Sequence, residues 1–169
     1  MNTVETWYEE WKAAERQPAI KVLLSYAQSL DGSITRAAGA STVISGAAAL
    51  KLTHWLRAQS DALLVGIGTI EIDDPQLTVR LAAGPSPTPV ILDPRLELST
   101  DARVLRREDR KPWIFTRPDA PPDRFKALVQ AGATIYTAPA GLDGKLDLQF
   151  VLRTLEKEGV RRLMVEGGI

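Results

Sequence analysis

The chain has 169 residues, 21 of them Lys or Arg and 21 Asp or Glu, so its formal net charge is zero. That balance excludes the excess of clustered cations needed to hold nucleic-acid phosphates or an anionic membrane surface. With no Cys and a single His, disulfides, thiolate metal sites, a cysteine nucleophile and any two-histidine metal site are excluded as well.

The length suits one domain, and a hydrophobic content of 44% is enough for a packed core. Met1–Arg16 is acidic and has no apolar stretch of the kind a signal peptide carries. No apolar run reaches the length of a membrane span. The expectation is a cytoplasmic mixed α/β protein with neither a nucleic-acid nor a membrane partner.

In chain order, Asn2 to Arg16 is expected to form an amphipathic helix. Val4, Trp7, Tyr8 and Trp11 recur at helical spacing, Asn2 stands as N-cap with Glu5 three residues on, and Gln17-Pro18 ends the helix. It reads as a clasp on the domain, with a subunit contact as the alternative. Ile20–Ala27 is a buried strand, followed by an Asp31-Gly32 turn and a small-residue loop over Ser33–Ala40. Ser45 is placed as the cap of a helix through Arg57, with Leu50, His54 and Leu56 on its apolar side.

Asp61–Val65 is the next strand. It runs into Gly66-Ile67-Gly68-Thr69, and Asp73-Asp74-Pro75 breaks the chain again. Gly84–Pro89 is a surface connection. Val90–Leu92, Trp113–Phe115, Thr134–Tyr136 and Arg162–Val165 are strands. The charged stretch Arg106–Lys111 is a solvated loop. Helices cover Arg124–Ala131, stopped by Gly132, and the segment from an Asp147 cap to Glu158, stopped by Gly159. Strands alternating with helices imply a mostly parallel central sheet flanked by helices.

Ligands of such sheets bind beyond the carboxyl ends of the strands. Glycines there let main-chain N–H groups approach a phosphate. Gly66-x-Gly68 after a strand, with Asp93 ending the next, imitates a dinucleotide-binding fingerprint. Glu71 stands where the third glycine belongs, however, and Asp73-Asp74-Pro75 interrupts the helix that should follow.

Five segments in order carry a more specific resemblance: Ala27-Gln28-Ser29-Leu30-Asp31-Gly32, Leu56-Arg57-Ala58-x-x-Asp61-Ala62, Val65-Gly66-x-Gly68-Thr69, Asp73-Asp74-Pro75-x-Leu77-Thr78-x-Arg80 and Val165-Glu166-Gly167-Gly168. Over residues 20–169 the chain resembles the reductase domain of riboflavin biosynthesis, the C-terminal half of the bacterial bifunctional deaminase–reductase. The resemblance implies a dihydrofolate-reductase-like α/β fold. It also implies NADPH-dependent reduction of the ribosyl group of a 5-amino-6-(phosphoribosylamino)pyrimidine to ribityl. Residues 1–19 would then be a helical extension without the zinc deaminase half. The family continues past Gly168 with a helix and further strands that carry the dimer contact. This chain is therefore expected to lack part of the reductase domain, to be impaired alone, and to belong to a homodimer.

As the resemblance implies, Ser41, Arg57, Leu77, Arg80 and Glu166 bind the phosphorylated substrate. Ala27, Val43, Thr69, Asp73, Pro94, Arg95, Gly167 and Gly168 bind NADPH. Val43 occupies a position that is often aromatic in the family and would stack less on the nicotinamide. Arg95, with Arg117 as a weaker alternative, would face the 2′-phosphate. Asp73 is the acid nominated as proton donor, and no residue is nominated as a metal ligand. Asp31 is read as structural, and His54 as a surface or half-buried helix residue. Dihydrofolate reductase itself would want a carboxylate in the first long helix, and Gly46–Arg57 holds none. A dihydrofolate-reductase-like enzyme of other specificity and a non-catalytic NADP-binding module stay open.

Overall fold

A computed structural model describes residues 3–14, 20–30, 44–141 and 144–167. Its elements are α1 (Thr3–Ala13), β1 (Lys21–Ser25), α2 (Ala47–Ala58), β2 (Ala62–Gly66), α3 (Ile67–Asp73), β3 (Thr88–Leu92), β4 (Trp113–Thr116), α4 (Pro122–Gln130), β5 (Thr134–Thr137), α5 (Leu148–Lys157) and β6 (Arg162–Glu166). The six strands form one sheet in the order β1-β6-β2-β3-β4-β5. Every pairing in it is parallel.

The burial pattern follows from this order. Going from β1 to β5 the chain steps one way across the sheet, and only β5 to β6 steps back. Parallel crossovers are right-handed, so the reversal sends α5 to the opposite face from α2, α3 and α4. The two-residue period of each strand then feeds two cores. Leu63 and Val65 of β2 join Leu56, Ile70 and Leu128 on one face, while Ala62 and Leu64 join Val151 and Leu155 on the other. At the amino-terminal edge, Asp61 ties β2 to β6. Its carboxylate accepts from the main-chain N–H groups of Arg161 and Arg162 at 3.0 and 2.8 Å and from the Arg162 guanidinium at 2.6 Å. Burial pushes the Asp61 pKa up, but these bonds outweigh it and hold the carboxyl below its ordinary range.

α1 lies against the first core. Tyr8 is fully buried, stands edge-on to Trp55 at 5.1 Å, and donates its hydroxyl to the Gln59 carbonyl at 3.1 Å. The Nζ of Lys21, at the start of β1, donates to the carbonyls of Trp11, Lys12 and Ala14 and so caps the end of α1. The proposed Asn2 cap, the Gln17-Pro18 stop and the Ser33–Ala40 loop lie outside the described residues.

Several expectations need correction. α2 is capped by Gly46 in extended conformation with no side-chain bond, not by Ser45, and Leu50 on it is 39% exposed. Trp7 leaves the buried stripe of α1 and is exposed. β1 is shorter than expected. The segment after Gly66 is a two-turn helix, ended by Asp74 in left-handed conformation (φ 37°). Thr88 and Pro89 belong to β3 and not to a surface loop. Pro89 is tolerated because it pairs with Leu63 on β2, while the β4 ladder starts only at Val90. Arg107 is not solvated. It is 5% exposed, grips Asp109 with two bonds of 2.9 and 2.7 Å, and donates to the Leu77 carbonyl at 3.1 Å. The Asp147 cap is present and accepts from the N–H groups of Gln149 and Phe150. Among the described residues no helix is long and apolar enough to cross a membrane.

Truncating Tyr8 to Ala should cost about 3–5 kcal/mol, the usual cost of emptying a buried aromatic site. The same change at exposed Trp7 should cost less than about 1 kcal/mol. Urea unfolding followed by circular dichroism checks the contrast, and equal losses would show that α1 is not seated through Tyr8.

Candidate active site

All six strands run the same way, so their carboxyl ends lie on one edge of the sheet. β6 sits between β1 and β2, and parallel α/β sheets bind their ligands beyond the carboxyl ends of the strands. Ser25 pairs with Glu166 and Leu64 with Val165, which sets Gly66 and Gly167 side by side at the exits of β2 and β6. Gly167 has φ 111°, and a Cβ there would stand 2.9 Å from Thr69 Oγ1. Only glycine fits both the conformation and the approach. Around Gly66 and Gly68 no described atom beyond their chain neighbours and their own helix backbone lies within 4 Å of where a Cβ would be. The three glycines leave an open cradle over the first turn of α3.

Arg57, in the last turn of α2, meets Glu166 at the end of β6 in a two-pronged pair: Nε to Oε1 at 2.8 Å and Nη2 to Oε2 at 2.6 Å. Both side chains are only 14% exposed. Arg57 Nη1 also donates to the Thr78 carbonyl at 3.2 Å. One turn earlier on α2, His54 is 5% exposed, and its Nδ1 accepts the Arg80 main-chain N–H at 3.0 Å. Burial pushes the His54 pKa below its ordinary value, and Arg57 and Arg80 push it further, against a smaller opposite pull from Glu166. The ring is thus a buried structural acceptor rather than a surface residue. Arg80 itself is exposed, and its guanidinium makes no ion pair with a described residue.

The other expected residues are placed less uniformly. Thr69 lies in the first turn of α3 against Gly167. Asp73 is exposed at the end of α3, one turn beyond Thr69 on the same face. Its neighbour Asp74, not Asp73, supports the loop, accepting from the Arg103 N–H at 2.8 Å. Leu77 has φ 54° and is 2% exposed, so its side chain belongs to the core. Ala27 is half-buried two residues beyond β1. Ser41, Val43 and Gly168, like Asp31, lie outside the described residues.

Beyond β3, Asp93 is fully buried and spends both oxygens on the N–H groups of Glu97 and Leu98, each at 2.9 Å. That leaves it no role as a ribose acid. It shapes the turn that carries Pro94 and Arg95. The Arg95 side chain is 72% exposed and only loosely paired, 3.8 Å from Glu97. Arg117 is tied to Asp119 by two bonds of 2.9 and 2.8 Å. A cleft of about 630 Å³ opens beside this turn, lined by Leu92, Pro94, Leu146, Leu148 and Gln149 among others. The lining is mostly apolar, and the exposed Arg95 directly follows the lining residue Pro94 in the chain.

The sequence did not announce three participants. His54 and Arg107 act on main-chain groups, which leave no spacing signature. Thr78 holds a buried hydroxyl that finds no partner among the described residues.

Residues 20–169 match the family model described as the RibD C-terminal domain. Among curated proteins, the 2,5-diamino-6-ribosylamino-4(3H)-pyrimidinone 5′-phosphate reductase of Methanothermobacter thermautotrophicus is 36% identical over 151 residues, covering 87% of this chain and 67% of that protein. Among solved structures, a Thermotoga maritima diaminohydroxyphosphoribosylaminopyrimidine deaminase/5-amino-6-(5-phosphoribosylamino)uracil reductase aligns with TM-score 0.69 at 32% identity, over 88% of this chain and 39% of that one. The Saccharomyces cerevisiae riboflavin biosynthesis reductase Rib7 aligns with TM-score 0.75 at 22% identity, over 99% and 73%, a likeness of fold. The fold is the dihydrofolate-reductase-like one of these reductase domains.

Gly167→Ala should lower stability by roughly 1–3 kcal/mol, from the positive φ and from the contact with Thr69. In a Thr69→Ala background the same change should cost less, because only the φ strain remains. Equal costs in the two backgrounds, read from a thermal double-mutant cycle, would show that the close approach is not tight in solution.

Proposed function

The chain belongs to the RibD C-terminal domain family, and from that premise we propose that it reduces the ribosyl group of a 5-amino-6-(5-phosphoribosylamino)pyrimidine to ribityl with NADPH. The pyrimidine is the uracil or the 2,5-diaminopyrimidinone form. The reading is carried by the exposed Arg80, whose main chain is bonded to His54 one turn from Arg57 on α2, together with the Arg57–Glu166 pair at the carboxyl edge and Gly167 following Glu166. The chain spans about two thirds of the archaeal reductase and 39% of the bifunctional enzyme it resembles, so activity, substrate and partners are assigned here as proposals.

When bound, NADPH supplies a hydride from the nicotinamide ring. The protein's part is to bind, orient and protonate. Ala27, Val43, Thr69, Asp73, Pro94, Arg95, Gly167 and Gly168 would hold NADPH, with Arg95 supplying positive charge for a 2′-phosphate. Ser41, Arg57, Arg80 and Glu166 hold the substrate, with Leu77 contributing through its main chain alone because its side chain is in the core. With C1′ of the opened sugar as the double-bonded imine carbon, the hydride goes to C1′. A proton goes to the nitrogen, and the C=N double bond becomes single. Asp73, directly or through a water, delivers that proton. Glu166 orients substrate N–H or O–H donors while its pairing keeps Arg57 in place. Because Arg57 already spends three N–H bonds on Glu166 and Thr78, phosphate recognition falls chiefly to Arg80. Exposed Val22 and Leu24 on β1, an edge strand among the described ones, and Tyr26 just beyond it support association into a homodimer.

Oxidation of NADPH on addition of the phosphorylated pyrimidine tests the activity. Binding of NADPH without turnover would leave only a binding module. Arg80→Ala should raise KM at least about tenfold for the phosphorylated substrate and far less for its dephosphorylated form, as loss of a charged hydrogen bond implies. Arg57→Ala should lose stability as well, because Glu166 is left unpaired. NADPH should bind more tightly than NADH in a fluorescence titration, and Arg95→Glu should narrow the gap. Equal affinities in the native protein would remove Arg95 from the site.

A further inference from the structure

The segment Leu77–Arg80 has no regular structure, yet its main chain is held at four consecutive residues by side chains from elsewhere. Arg107 donates to the Leu77 carbonyl at 3.1 Å and Arg57 to the Thr78 carbonyl at 3.2 Å. The Val79 N–H donates to Ser86 Oγ and the Arg80 N–H to His54 Nδ1, both at 3.0 Å. Two of the four grips come from α2, one turn apart, and one of these two is a buried imidazole.

We propose that His54 is a positioning residue for phosphate recognition. Its neutral ring, accepting the Arg80 N–H, fixes the main chain from which the exposed Arg80 side chain projects, and the ring releases that strap when it takes a proton. The inference rests on the reading of Arg80 as a phosphate ligand and adds its regulation by pH.

The chemistry follows from donors and acceptors. A main-chain N–H can only donate, so His54 Nδ1 must carry a lone pair and the proton of the neutral ring must sit on Nε2. Protonation at Nδ1 would set two donors against each other at hydrogen-bond distance in a buried position. The charged groups facing the ring are Arg57 on its own helix, Arg80 on the strap and Glu166 on β6. Glu166 is already committed to Arg57, so an imidazolium would meet Arg80 without a counter-charge. Protonation therefore acts on the same main-chain bond that orients the phosphate ligand.

The protein has a single histidine, so one imidazole signal set reports the switch without any substitution. Nitrogen-15 NMR of the intact chain should show an Nε2–H tautomer and a titration below the ordinary histidine value of 6.5, with the Arg80 amide shifting at the same midpoint. Calorimetry with ribose 5-phosphate as probe should show affinity falling through that midpoint. His54→Asn keeps an acceptor oxygen near the Nδ1 position and does not titrate. It should retain most of the affinity at pH 7.5 and lose the part of the acid limb that exceeds the probe's own ionisation. His54→Leu should weaken binding by about three- to tenfold at pH 7.5, as loss of a neutral hydrogen bond implies. A proton on Nδ1, a midpoint at or above 6.5, or one pH profile shared by all three proteins overturns this inference alone. Failure of the native protein to bind ribose 5-phosphate at any pH overturns the phosphosugar reading with it.

Discussion

The ion pair between Arg57 and Glu166 is the constraint on which the edge of this molecule depends. It joins the last turn of α2 to the end of β6, with each side chain only 14% exposed. A guanidinium or a carboxylate so placed would be costly alone, and the two become acceptable only in each other's company. The roll of α2 and the exit of β6 are therefore set together. Because Arg57 also holds the Thr78 carbonyl, the loop that carries Arg80 is referred to the same fixed point. The exposed cation and the glycine cradle keep a constant relation although they come from distant parts of the sequence.

Much of the fold was legible because its strands are short apolar runs bounded by turn residues. Ala62–Val65 and Arg162–Val165 could hardly be anything else, and Asp147 announced α5 as a capping side chain does. The helix α3 was not legible. It is seven residues long with Gly68 inside it and three isoleucines, and no side chain caps its start. It persists because Ile70 is buried in the core, which is tertiary information. Arg107 misled for the complementary reason. A run of charges normally marks solvent, but here one guanidinium reaches inward to a carbonyl that local pattern could not reveal.

The site divides in the same way. Gly66, Gly68 and Gly167 could be found because backbone freedom at a strand exit has a compositional mark, and Arg57, Arg80 and Glu166 because the family motif carries them. Their mutual geometry could not be found that way. Arg57 and Glu166 stand 109 residues apart, and the partner of His54 is a peptide N–H that any residue would offer. Leu77 shows the limit of carrying a role over by position, since its side chain turns into the core and only its main chain takes part in the edge.

The placement of β6 also governs how the chain can assemble. β6 is the last described strand, yet it fills the slot between β1 and β2. During synthesis every other described strand leaves the ribosome while that slot is still empty. Such long-range parallel pairing forms slowly, after its loop entropy has been met. Until Arg162–Glu166 arrives, β1 has no neighbour among the described strands, and Arg57 has no carboxylate. The junction of β1 with the rest of the sheet and the charge pair of the site thus close in a single late event, so a nascent chain interrupted before β6 would lack both together.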